Sequence, residues 1–289
     1  MRVFSSSIYV SAVFANRCAL AILCASLGAC GTVDGGAFVG NGPKYAELEA
    51  PDASFADNIA SLSEVIRRNP NSPEAFNTRG AAYAKAGRYK EAIADFTKSI
   101  SIDGSSAAAF TNRALAERQI GQNDAALADF GHAISANANH APAYLGRGNL
   151  LRSMGRLPEA TADLDTAIRL NPEGAQAFHA RGLIRQLNGE HVKAITDFDN
   201  AIDRDPFAGA PYLARGQSLT EIGKYDLAIE DFNAALNVDN RNGDAWSGLG
   251  RAYEKQGNKA KAIESYARAL IVDPNNRLAR DGQSRLGKS

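Results

Sequence analysis

A single period constrains this chain more than any other feature. From residue 73 to residue 276 the sequence aligns with itself every 34 residues without a gap, giving six units that begin at residues 73, 107, 141, 175, 209 and 243. Gly87, Gly121, Gly155, Gly189, Gly223 and Gly257 share one position, and Ala92, Ala126, Ala160, Ala194, Ala228 and Ala262 share another. An aromatic residue stands near the start of every unit: Phe76, Phe110, Tyr144, Phe178, Tyr212 and Trp246. Four positions after the shared alanine come Phe96, Phe130, Leu164, Phe198, Phe232 and Tyr266. A fixed period of this length describes an array of like units, each packed mainly on its neighbours, and not a domain with one non-repeating core.

Each unit carries two stretches with apolar residues at helical spacing, such as Ile93, Phe96 and Ile100, or Ile195, Phe198 and Ile202. The shared glycine between them ends the first helix, because glycine enters the left-handed region at no steric cost. Small residues at Gly80 and Ala92 let the two helices approach closely, and Pro172, Pro206 and Pro274 end the second helix. A lone helical hairpin cannot bury its apolar face, so stacked neighbours must supply the core. The expected fold is therefore an all-α solenoid of six repeats, 73–106, 107–140, 141–174, 175–208, 209–242 and 243–276. "NIASLSEVIRRNP" at 58–70 matches a second helix in register through Ile59, Leu62, Ile66 and Pro70, which places a half-repeat helix over 53–72. The polar stretch 277–289 reads as a capping helix and tail, as solenoids need for solubility.

Unit six carries the pattern W-x2-L-G-x2-Y, A-x3-F, P almost letter for letter: Trp246, Leu249, Gly250, Tyr253, Ala262, Tyr266 (an aromatic in place of Phe) and Pro274. In this the chain resembles the tetratricopeptide repeat family. The resemblance implies a right-handed superhelix of antiparallel helix pairs whose concave face, built from the first helices, binds protein partners. It also implies that the second, fifth, ninth, twelfth and thirteenth positions of each unit point inward. In the middle units these include Thr111, Leu115, Arg118, Gln119, Leu145, Asn149, Arg152, His179, Leu183, Gln186, Leu213 and Gln217, a polar surface with apolar patches and two arginines but no acid. The flanking units place Glu74, Glu221, Asp244 and Glu254 there. Arg118, Asn149, Arg152, His179, Gln186 and Gln217 are the expected contacts for an extended peptide, acidic or ending in a free carboxylate, lying across units two to four. Asn77 and Ala81 depart from the chaperone-type carboxylate clamp, which has Lys and Asn there.

Arg79, Arg113, Arg147, Arg181 and Arg215 occupy the position where the pattern wants leucine, eight residues before the turn glycine. Asp95, Asp129, Asp163, Asp197 and Asp231 lie eight residues after it. Equal distances from the turn of an antiparallel hairpin bring two side chains level, so each arginine should face its own aspartate. Unit six has Leu249 and Ser265, lacking both members together. The arginines are expected to be structural.

Catalytic, metal and cofactor sites have no counterpart in the sequence. The histidines, His132, His140, His179 and His191, form no HExxH or Cys/His cluster of ligand spacing, and no G-x-S-x-G or phosphate-loop motif is present. No enzyme activity, cofactor or small-molecule substrate is expected. A formal net charge of zero speaks against nucleic acid, which usually calls for a basic face.

Cys18, Cys24 and Cys30 are the three cysteines, and all lie in the first thirty residues, so the repeats hold no disulfide. Arg17 precedes an apolar run from Cys18 to Leu27, the form of a secretory signal and too short to span a bilayer. Leu27-Gly28-Ala29-Cys30 resembles the bacterial lipobox, which implies a signal peptide over 1–29 and lipid attachment at Cys30. Ordinary signal cleavage would want a small residue where Leu27 stands, and Arg17 interrupts the stretch that an uncleaved anchor would use. Residues 30–52 are glycine-rich and read as a tether. Together these features lead to the expectation of a lipid-anchored interaction scaffold in the bacterial envelope, on the outer membrane facing the periplasm. It would serve as an adaptor for cell-wall enzymes or proteases or, alternatively, as an assembly factor for a secretion or pilus machine.

Overall fold

The structure is a computed structural model that describes residues 53–287; the signal segment and the whole tether, Cys30 included, lie outside the described residues. Within it the chain is all α-helix and loop, and the helices follow the period. The first helices of the six units are α2 (Pro73–Lys85), α4 (Ala107–Gln119), α6 (Ala141–Ser153), α8 (Ala175–Leu187), α10 (Gly209–Glu221) and α12 (Gly243–Gln256). The second helices are α3 (Tyr89–Ile102), α5 (Asn123–Ala136), α7 (Leu157–Leu170), α9 (His191–Arg204), α11 (Tyr225–Val238) and α13 (Lys259–Val272). Helix α1 (Ala53–Arg68) precedes them as the half-repeat, and α14 (Arg277–Leu286) follows as the cap.

Turn and packing geometry both trace to the shared small residues. The six turn glycines take φ between 71° and 88°, the left-handed region in which a side chain would be strained. At the close approach of the two helices in unit four, a Cβ on Gly182 would sit 2.5 Å from the Phe198 ring, so only glycine lets that ring in. Phe96, Phe130, Leu164, Phe198, Phe232 and Tyr266 are all essentially inaccessible, and they form the spine of the core with the shared alanines.

Each first helix packs on its own second helix and on the second helix of the preceding unit. First helices also touch their successors (α2 with α4, and so on to α12 with α14), whereas no contact joins successive second helices. Elements that touch along a curved stack lie on its inside. The first helices therefore form the concave wall, and α14 continues it.

The arginine–aspartate ladder forms in all five units. Each guanidinium donates through Nε and Nη2 to the two carboxylate oxygens of its aspartate, at 2.6–3.0 Å. Such a two-bond fork is the strong form of ion pair, and the aspartates are buried. Each arginine also lies over the aromatic ring three residues earlier, 5.7–5.9 Å from its centroid. A further set of contacts is not anticipated by the hairpin register. The remaining Nη1 reaches the preceding unit: Arg79 to Ser63 Oγ at 3.1 Å, Arg113 to Thr97 Oγ1 at 3.0 Å, Arg181 to Asp165 at 2.7 Å and Arg215 to Asp199 at 2.6 Å. The ladder thus ties units to one another as well as the two helices of each unit. In unit six the pair is replaced by buried Leu249 and by Ser265, whose hydroxyl donates to Lys261 O of its own helix.

Candidate binding groove

The concave wall holds two depressions. The first, about 380 Å³, opens between α2, α4 and α6. Ala81, Ala84 and Lys85 come from α2, Leu115, Arg118 and Gln119 from α4, and Leu145 and Asn149 from α6, while the Tyr89 and Phe96 rings reach in from α3. The second, about 490 Å³, lies between α8, α10, α12 and the cap. Gln186, Gln217, Glu221, Asp244, Arg251 and Arg277 line it together with Phe232 and Leu278. Within it Arg251 lies 2.9 Å from Glu221, and Asn276 Nδ2 donates to Asp244 at 3.1 Å.

The six peptide contacts expected from the sequence fall in different surroundings. Arg118 is half-buried and Asn149 buried in the first depression, and Gln217 is exposed in the second. Gln186 also lines the second, but its amide donates to Ala214 O at 2.9 Å and to Ser218 Oγ at 3.0 Å, joining units four and five. His179 lines neither; it is only 5% exposed, with its ring 5.8 Å from that of Phe198. Burial, reinforced by the nearby Arg152 charge, pushes its pKa down to about 4, so it is a neutral core imidazole near pH 7. Arg152, half-buried, also lines neither depression. Arg118 and Asn149 thus share the depression toward one end of the wall, and Gln186 and Gln217 the depression toward the other.

Position-by-position reading missed Ala84, Tyr89, Arg277 and Leu278. Alanines at the ninth and twelfth positions of unit one were a usable signal. Every later unit carries larger side chains there, from Leu115 and Arg118 to Arg251 and Glu254, whereas Ala81 and Ala84 line the first depression beside the Tyr89 ring. The cap's part was not readable by that rule, since the cap is half a unit. Among the described residues, no group of three His, Cys, Asp or Glu is placed to hold a metal ion, and no helix is long and apolar enough to cross a membrane.

Family models for the tetratricopeptide repeat match residues 73–106, 111–162 and 213–277, and a further TPR repeat model matches 148–189. No curated protein sequence matches the chain. Among solved structures, a chain in the crystal structure of the APC/C hetero-tetramer Cut9–Hcn1 is similar with a TM-score of 0.70 at 20% identity, over 80% of this chain and 46% of that one. The chain thus spans just under half of that relative. YrrB, described as a TPR protein with an unusual peptide-binding site, matches with a TM-score of 0.56 at 24% identity, over 65% of this chain and 97% of its own. PilF of Pseudomonas aeruginosa matches at 0.68 and 19% identity, over 74% of this chain and 97% of its own. At these identities the likeness is one of fold.

Proposed function

The chain belongs to the tetratricopeptide repeat family, and from that premise we propose that it is a non-catalytic scaffold whose concave wall holds extended segments of protein partners. One observation carries this reading: the inner wall is not a filled, featureless surface but opens into two depressions lined by first-helix side chains. The recurrent arginines and core rings, by contrast, are committed to the fold. The ladder arginines are spent on aspartates and neighbouring units, and the ring residues are buried.

In the same proposal Cys30 carries the lipid and holds the stack at a bacterial membrane surface, on the outer membrane facing the periplasm. More than one acyl chain is needed for firm anchoring, since a single chain binds membranes only marginally, and lipobox processing would supply them. The partners are then envelope proteins, with cell-wall hydrolases or proteases as the first reading. The second reading is an assembly factor for a secretion or pilus machine, for which the fold likeness to PilW, described as a widely conserved type IV pilus biogenesis factor, is the motive.

The test is co-purification from detergent-solubilised envelopes of cells making the full chain. Hydrolases or secretin-type subunits recovered with it separate the two readings, and recovery of neither discards both. In parallel, Cys30→Ala should leave the membrane pellet and accumulate unprocessed; a membrane-bound variant of mature size would remove the anchor from the proposal.

A further inference from the structure

The two depressions differ in chemistry, and the first is the more specific. Its floor is made of Leu115, Leu145 and the Tyr89 ring, with Ala81 and Ala84 providing the space. Its volume of about 380 Å³ lies within the range of ligand clefts, roughly 300–1,000 Å³. Its charged lining residues are both cations, Lys85 and Arg118, and no carboxylate lines it. In the second depression, by contrast, Glu221 and Asp244 stand beside Arg251 and Arg277.

Resting on the scaffold reading above, we infer that the first depression receives one or two bulky apolar side chains of an extended peptide segment whose flanking residues are acidic. The apolar floor rewards removal of hydrocarbon from water at roughly 25 cal/mol per Å², and a lone polar peptide would gain nothing there. Lys85 and Arg118 bias the flanks toward carboxylates by their positive charge. A basic peptide would meet two like charges.

The experiment uses the full chain in detergent and three fluorescein-labelled decapeptides read by fluorescence anisotropy. One peptide carries two phenylalanines among glutamates and serines, the second has both phenylalanines changed to serine, and the third has its glutamates changed to lysine. The first should bind with a Kd on the order of micromolar and the other two at least tenfold more weakly. Ala81→Leu with Ala84→Gln fills the depression with the residues unit four carries at those positions (Leu183 and Gln186), and it should weaken the first peptide at least tenfold. Lys85→Glu with Arg118→Glu should do the same. Should the filled variant fail to fold by circular dichroism, the charge-reversed one decides alone. Equal binding of the three peptides, or binding untouched by the folded variants, overturns the inference. The parent reading is separated by Arg251→Glu in the second depression, with recovery of the co-purified partners as readout. If recovery falls with Arg251→Glu but not with the filled first depression, the scaffold reading stands and this assignment is wrong. If neither variant changes recovery, both fall.

Discussion

Arg147 is the ladder arginine whose contribution can be measured most simply. The other four each bond the preceding unit through Nη1, but the residue facing Arg147 from that unit is Gly131, which has no side chain to accept. Its exchange with Asp163 is therefore an intra-repeat pair with no third partner of that kind. Arg147→Leu alone should cost roughly 1–3 kcal/mol, because it strands a buried carboxylate. Arg147→Leu with Asp163→Ser copies unit six and should recover much of that loss; strictly additive changes in thermal unfolding would mean that the pair is not coupled. Glu117 makes the opposite case, a buried acid whose desolvation outweighs its compensation. No protein donor meets its Oε2. Burial first, and then Asp129 nearby, push its pKa from 4.5 up to about 7, against a smaller lowering by Arg113. The folded state keeps this proton to about pH 7 while the unfolded chain releases it near its ordinary value, so between them the native state binds more protons and rising pH favours unfolding. Glu117→Gln should remove that loss: the Tm advantage of the variant should be larger at about pH 8 than at about pH 5, and an advantage independent of pH would contradict the assignment.

At the scale of the element, the first helices are capped unevenly. Ser72, Ser106, Asn242 and Asn276 stand just before α2, α4, α12 and α14, and each accepts a hydrogen bond from the backbone N–H three residues on. The caps of α6, α8 and α10 are His140, Gly174 and Ala208, and none accepts such a bond. The stack is therefore well capped toward both ends and less so in the middle. Ala208 already has the backbone that Asn242 uses, φ −78° and ψ 115° against φ −78° and ψ 99°. Ala208→Asn should thus gain ~0.5–2 kcal/mol from one satisfied N–H at the start of α10. Urea unfolding measures it, and an unchanged midpoint would show that the amide does not reach its donor.

For the whole molecule, the end of the stack matters more than its polar sequence suggests. Helix α14 approaches Tyr266 so closely that a Cβ on Gly282 would lie 2.3 Å from the ring. Under that cover Tyr266 is fully buried, and its hydroxyl donates to Glu254 Oε2 at 2.7 Å, while Arg285 holds the same carboxylate from the cap at 2.9 Å. Deleting residues 277–289 would expose this ring and the alanines around it. In a stack whose stability is a sum of nearest-neighbour interfaces, losing that cover should cost roughly 2–3 kcal/mol, the worth of burying one large side chain. The truncated chain should begin to melt at its C-terminal unit, seen as early loss of hydrogen-exchange protection in α13. Protection equal to that of the full chain would show that the cap contributes nothing. The same deletion removes Arg277 and Leu278 from the second depression, while the first, between α2, α4 and α6, stays complete.

Much of this molecule was already decided in one dimension. The period, the turn glycines and the paired positions of arginine and aspartate all concern residues joined through a single tight turn, where distance along the chain fixes distance in space. The all-α solenoid, its helix pairs and the partner of each ladder arginine followed from that local register. What passes between units was decided only by the tertiary structure. The third bond of four arginines, the Gln186 link from unit four to unit five, the burial of His179 and the placing of two depressions all depend on how far each unit is rotated and shifted on the last. That rotation is set by the packing of whole helix faces, in which Gly131 or Ala81 counts as much by the side chain it lacks as Arg215 does by the one it has. A rule that reads inward positions from spacing treats every unit alike. The wall opens where the units differ, because a depression needs a small residue on one helix and a larger neighbour on the next.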